Sequence, residues 1–312
     1  MRCRAIFCLF GLLLAVAGCA HEHNLTAQPR LDLPPPPALP ALPAVPYHLH
    51  LNGIGGYRSI DQYMLTGLQE GGLDGEVIAY DWTGADVGLS ALLATGRHRS
   101  ESHHVAQMFL DAARQQPGRR ITLSTHSAGA GIALWALAEL PEDVKVDSIV
   151  MLAPALSPSA DLTPLLRHVS GKVYSFYSPY DVAVLGVGTK MMGTVDGVRT
   201  EAAGKVGFSR PPSADPTQYA KLVQVPYDSA WLKLGNIGDH IGPMSRPFAR
   251  EVTAPLLLTG KLAIIRNESE RGAPAAPIKL PPPMPTSTTT PASPTTTPTT
   301  APASPAATTT AP

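Results

Sequence analysis

Ile121-Thr122-Leu123-Ser124-Thr125-His126-Ser127-Ala128-Gly129-Ala130-Gly131 carries more architectural information than any other run in the chain. Ile121–Ser124 has the short, β-branched, apolar character of a buried strand, and 132–140 is an apolar helical stretch that Pro141 stops. Between them lies a serine framed by small residues. So sharp a turn from strand into helix lifts the serine hydroxyl above the strand's C-terminal edge. Residues two before and two after it must be small, because the backbone crosses itself there. Ser127 is therefore a candidate nucleophile.

Outward from this point, short apolar runs alternate with amphipathic stretches. Candidate strands are Tyr47–Leu51, Glu76–Tyr80, Ile121–Ser124, Ser148–Leu152, Val173–Phe176 and Leu222–Val225. Val105, Met108, Phe109 and Ala112 recur at helical spacing before Pro117-Gly118, and a last helix is expected within Arg246–Lys261, its extent left open by Pro255. Alternation of this kind predicts a parallel sheet covered by helices. Residues 47–271 form the predicted domain, roughly 225 residues, which is ample for one core.

The order of these motifs resembles the α/β-hydrolase fold across Tyr47 to Lys261. The resemblance implies an α/β class with a small, mostly parallel sheet of about six strands and helices on both faces. The first strand would lead straight into an oxyanion loop, without the antiparallel strands that open larger members.

A serine hydroxyl is a poor nucleophile until a neutral imidazole accepts its proton. The turn-rich Gly235-Asn236-Ile237-Gly238-Asp239-His240-Ile241-Gly242-Pro243, downstream of the last strand, supplies His240 where the resemblance puts that base; a plain surface histidine is the alternative. The acid that orients the imidazole is expected after Val173–Phe176, at Asp181, with Asp161 and Asp239 as rivals. The chain order Ser127, Asp181, His240 matches the class. Oxyanion donors are expected at the Ala128 amide, where a helix begins, and in Asn52-Gly53-Ile54-Gly55-Gly56, with Ile54 first and Gly53 next. That loop resembles His-Gly-x-Gly loops with Asn52 in the histidine's place, and it matches neither the dinucleotide fingerprint nor a Walker motif. His126 resembles the structural histidine of Gly-His-Ser-x-Gly elbows.

Together these residues imply a serine hydrolase of carboxylesterase or lipase type that cleaves an ester or related acyl bond through an acyl-enzyme. The substrate would be a small-molecule or lipid acyl compound, with no metal or organic cofactor. Thr125 and Asn52 are off-pattern, which leaves open a catalytically inactive hydrolase-like lipoprotein serving as an envelope binding or scaffolding module.

The ends of the chain have a different character. Arg2 and Arg4 precede the apolar 5–17, and Val16-Ala17-Gly18-Cys19 resembles a bacterial lipobox, so 1–18 is the expected signal peptide and Cys19 the lipidated residue. All three cysteines (Cys3, Cys8 and Cys19) fall here, leaving the predicted domain without a disulfide. Residues 19–46 form a proline-rich linker whose densest part, Pro29–Pro46, would span roughly 50 Å as polyproline II. Residues 272–312 read as a disordered Pro/Thr-rich tail. The expected location is the bacterial cell envelope, anchored to a membrane, with the outer membrane favoured by Ala20. Lys and Arg balance Asp and Glu at 24 each, with no basic run, so nucleic-acid binding is not expected.

Three smaller features complete the reading. His98, His103 and His104 lack a clean metal-ligand spacing and are expected at a solvated helix start. Trp82 is read either as a wall of the cleft or as a packing residue. Gly186 through Phe208 is read either as a flap bordering the acyl pocket or as a structural loop.

Overall fold

The six apolar runs form six strands in the computed structural model, which describes residues 44–84 and 86–262. The signal peptide, Cys19, nearly all of the linker and the Pro/Thr-rich tail lie outside the described residues. The strands are β1 (Tyr47–Leu51), β2 (Glu76–Tyr80), β3 (Ile121–His126), β4 (Val146–Leu152), β5 (Val169–Tyr177) and β6 (Leu222–Pro226). All pair in parallel, in the order β2-β1-β3-β4-β5-β6. Between β1 and β3 the chain reverses the direction in which it adds strands. A crevice opens beyond the strand ends at such a switch point, and both Gly53 and Ser127 lie there.

Helices cover both faces of the sheet, and four short ones, α2 (Leu89–Leu93), α6 (Thr189–Met192), α7 (Ala203–Val206) and α8 (Pro216–Tyr219), lie in the connections. On one side α3 (Thr95–Gln115), α4 (Gly129–Ala138) and α5 (Thr163–Arg167) bury Phe109, Ile132, Leu137 and Leu165 against Leu49, Leu123 and Ile149. On the other side α1 (Ser59–Glu70) and a C-terminal helical rod bury Met64, Leu68, Phe248 and Leu257 against Val150, Leu152 and Phe176. Each such side chain contributes about 1.5–3 kcal/mol by leaving water. With both faces covered, the inner strands are buried along nearly their whole length; β4 shows this as the apolar run Ile149–Leu152, whereas β1 and β3 carry buried His48, His50, Thr122, Ser124 and Thr125 among their apolar residues.

Two helical features depart from expectation. Helix α1 has no counterpart in the sequence reading, because its buried face carries Asp61 and Gly67 beside Met64, Leu65 and Leu68, which blurs the apolar stripe. The C-terminal helix is three segments: α9 (Arg246–Phe248), a π-turn segment (Ala249–Thr253) and α10 (Ala254–Thr259). Pro255 has no N–H to continue the α-helical ladder, and the wider turn directly before it absorbs the missing bond.

Candidate active site

Ser127 leaves β3 with φ of 54°, one of two non-glycine residues among those described with a positive φ. That conformation costs about 1–2 kcal/mol, and three backbone hydrogen bonds hold it. The Ser127 N–H donates to the Leu152 carbonyl (3.0 Å), and the Ser127 carbonyl accepts from Ala130 N–H (3.2 Å) and Ala155 N–H (3.0 Å). A β-carbon at Gly129 would sit 2.5 Å from the Leu51 carbonyl oxygen, so the position two after the serine must be glycine. Two before it, Thr125 is fully buried in register with Leu51 and Met151, and its Oγ1 has no partner. The elbow thus tolerates a β-branched residue at the cost of a buried unsatisfied hydroxyl, about 1–3 kcal/mol.

His240 reaches both predicted partners. Its Nε2 lies 3.0 Å from Ser127 Oγ, and its Nδ1 lies 2.7 Å from Asp181 Oδ2. A carboxylate can only accept, so Nδ1 carries the proton and Nε2 is left as an acceptor for the serine hydroxyl. Asp181 is 2% exposed, and its other oxygen accepts from Leu185 N–H at 3.2 Å. The rivals sit elsewhere. Asp161 Oδ1 accepts from Thr163 N–H at the start of α5, and Asp239 accepts from Gly242 N–H at 2.7 Å, closing the turn that carries His240.

The Gly53 loop lies directly against the serine: a β-carbon on Gly53 would stand 3.1 Å from Ser127 Cβ. The N–H groups of Gly53, Ile54 and Ala128 donate no hydrogen bond among the described residues. Asn52 Nδ2 donates to the Gly53 carbonyl (2.8 Å) and to Asp81 Oδ1 (3.3 Å), while Trp82 Nε1–H donates to the Asn52 carbonyl (2.6 Å). Asp81 also accepts from Tyr57 N–H, Thr83 N–H and the Thr83 hydroxyl. Burial raises the Asp81 pKa, but these hydrogen bonds outweigh it and hold the carboxyl below its usual range. Trp82 is therefore a packing residue that fixes the loop.

Beneath the elbow runs a buried polar stripe absent from the sequence reading. His48 and His50 of β1 sit in register with Thr122 and Ser124 of β3. His48 Nδ1 is 2.8 Å from Thr122 Oγ1 and its Nε2 is 2.9 Å from Ser124 Oγ; His50 Nδ1 is 2.9 Å from the same Oγ, and His50 Nε2 is 3.0 Å from Asp61 Oδ1. Because Asp61 only accepts, His50 Nε2–H donates to it, and the Ser124 hydroxyl links the two imidazoles. Burial and the neighbouring His50 push His48 down to about 3. At the upper end His126 Nε2–H donates to the His240 carbonyl at 3.0 Å. Burial and nearby His240 push His126 down to about 3 as well, so it is a neutral support for the loop, as its sequence context implied. The alternating Tyr-His-Leu-His-Leu of β1 was the available signal for this stripe.

The remaining predictions divide. His98 is buried, not solvated: its Nε2–H donates to the Ala91 carbonyl (2.8 Å), and its ring stacks on Trp135. It turns inward because α3 begins at Thr95, which places it beneath the segment holding Ala91. His103 is exposed and pairs with Glu139, and His104 stacks on Tyr80. Among the described residues no cluster of three or more His, Cys, Asp or Glu is placed to hold a metal. In the Gly186–Phe208 segment, Ala202 and Ala203 are buried and the Gly204 carbonyl accepts from Ser178 N–H, so this end is structural. Val187 and Met191, nearer Asp181, remain exposed.

No curated protein matches the chain. Among solved structures, Aspergillus fumigatus lipase B is 14% identical with a TM-score of 0.43, covering 70% of this chain and 53% of its own. The chain thus spans about half the length of that lipase. A cutinase-like protein from Cryptococcus sp. is 13% identical with a TM-score of 0.35, covering 69% of this chain and 97% of its own. The family model described as Hydrolase_4, serine aminopeptidase, S33, matches residues 52–201, from the Gly53 loop through the elbow to the segment after Asp181. With the all-parallel six-stranded sheet, its helices on both faces and this match, the chain has the α/β-hydrolase fold.

Proposed function

We propose that the protein is a serine hydrolase that cleaves an ester or related acyl bond of a small-molecule or lipid substrate. The observation that carries this reading is His240, set between Ser127 Oγ and Asp181 Oδ2 at 3.0 and 2.7 Å. Ser127 Oγ attacks the acyl carbon as its proton passes to His240 Nε2, and Asp181 stabilises the imidazolium that results. The developing oxyanion is received by the Ala128 N–H at the start of α4 and by Ile54 or Gly53 N–H from the opposite side. His240 then returns the proton to the leaving oxygen, and water enters by the reverse sequence to release the acid and free Ser127. No step calls for a metal or organic cofactor.

A fluorophosphonate probe is expected to label the wild-type chain and not Ser127→Ala. Labelling that survives the substitution removes Ser127 from its role. A wild-type chain that takes no label at all favours the binding or scaffolding alternative.

The same reading places the enzyme at a bacterial membrane, tethered through acylated Cys19. Its support is the run of small residues before that cysteine and the proline spacer after it. Cys19→Ser is expected to shift the protein from the membrane to the soluble fraction and to block processing. Unchanged fractionation would refute the anchor without touching the hydrolase reading.

A further inference from the structure

We infer that the groove between α3, α4 and residues 192–199 is an accessory binding site for a long-chain carboxylate, separate from the Ser127 site. It encloses about 710 Å³, and neither Ser127, Ala128, Asp181 nor His240 lines it. That volume falls in the range of about 300–1,000 Å³ typical of pockets that enclose one small ligand. Leu92, Leu93, Trp135, Met192 and Val195 make an apolar wall, in which Leu93 and Met192 are exposed to solvent. The Trp135 ring stacks on buried His98, with centroids 5.6 Å apart and planes at 17°, so this stacked pair forms the floor of the groove.

The charge pattern selects the occupant. Two carboxylates line the groove, and both are already engaged. Glu139 pairs with His103 at 2.9 Å, while Asp196 accepts from Ser157 N–H (2.9 Å) and the Ser157 hydroxyl (2.5 Å). Arg99 and Arg199 also line it, and neither makes an ion pair or hydrogen bond among the described residues. An arginine fork without a partner, beside an apolar trough, suits a ligand with an anionic head and a hydrocarbon body. A neutral lipid would leave both guanidinium groups unanswered, and a small inorganic anion would leave the trough unfilled.

Trp135 makes the test direct, because the other two tryptophans, Trp82 and Trp231, are buried in the cores. Dibromostearate below its micellar concentration should quench the fluorescence of the full chain saturably. The measurement uses Ser127→Ala, so it does not depend on whether Ser127 is a nucleophile. Arg99→Gln with Arg199→Gln should weaken the quenching about tenfold, the scale of two solvent-facing charge contacts. Dibromostearyl alcohol should bind at least as weakly to the unsubstituted groove. Absence of quenching, equal quenching by the alcohol, indifference to the arginine substitutions, or quenching that persists in Trp135→Phe would each overturn the assignment.

Discussion

Asp181→Asn is expected to lower kcat for ester hydrolysis about 10⁴-fold with little change in KM. The reason is which proton sits where. In the native site Asp181 Oδ1 accepts from Leu185 N–H and Oδ2 faces His240 Nδ1. An asparagine keeps its oxygen on Leu185 N–H and turns its NH₂ group towards the imidazole. Nδ1 must then accept, which moves the ring proton to Nε2 and points it at the Ser127 oxygen. The serine loses its base although no atom has been displaced. Melting temperature should hold close to wild type, since shape and the Leu185 contact persist. The check is steady-state kinetics on a short soluble ester beside a thermal melt. A kcat within tenfold of wild type would take the orienting role from Asp181. Asp161→Asn serves as the control, because its carboxylate faces Thr163 and Tyr219 and should leave turnover unchanged.

The parts of this molecule that could be read from sequence are those whose residue types answer to one dominant constraint. The inner strands are buried on both faces, so they stay rich in apolar residues even where histidine, threonine or serine interrupts the run, and all six strands overlap the apolar runs of the sequence. The strand ends were less legible: β5 begins at Val169, four residues before its apolar part, because Ser170, Gly171 and Lys172 face solvent. The elbow was legible because crossing backbones demand Gly129 whatever lies around them. Asp181 and His240 could be named as candidates from order along the chain, but their distance from Ser127 depends on how two long connections fold. Helix α1, the inward turn of His98 and the histidine stripe were hidden for one shared reason. Each turns a polar side chain into the protein where a specific partner satisfies it: His48 by Thr122 and Ser124, His98 by the Ala91 carbonyl, and Asp61 by His50 and the Arg58 N–H. The alternation in β1 sets His48 and His50 on one face of the strand, but it does not tell whether that face is buried and bonded.

That stripe also leads to the second large effect, a steep loss of stability in mild acid. His48 and His126 have folded pKa values pushed to about 3, by burial first in each case, with His50 and His240 respectively adding to it. In the unfolded chain both return to about 6.5. A depressed folded pKa means that the unfolded state binds the proton first. The stabilisation from keeping these rings neutral is therefore complete above pH 6.5 and is lost as pH falls towards 3. Each ring removes about 1.4 kcal/mol per pH unit in that window, so the pair removes about 2.7 kcal/mol per unit. Two units below 6.5 the loss is about 5 kcal/mol, comparable to the whole stability of a marginal domain, about 5–15 kcal/mol. Asp61, held below its usual range by His50 and Arg58 against the opposing effect of burial, adds its own loss only at still lower pH. Urea midpoints measured between pH 7.5 and 4.5 should fall steeply below pH 6.5. His48→Gln offers Thr122 and Ser124 a partner that cannot titrate, and should cut the slope of stability against pH by about half while lowering stability at pH 7.5. A slope that is flat in wild type, or identical in His48→Gln, would show that these buried imidazoles are not what limits the fold in acid.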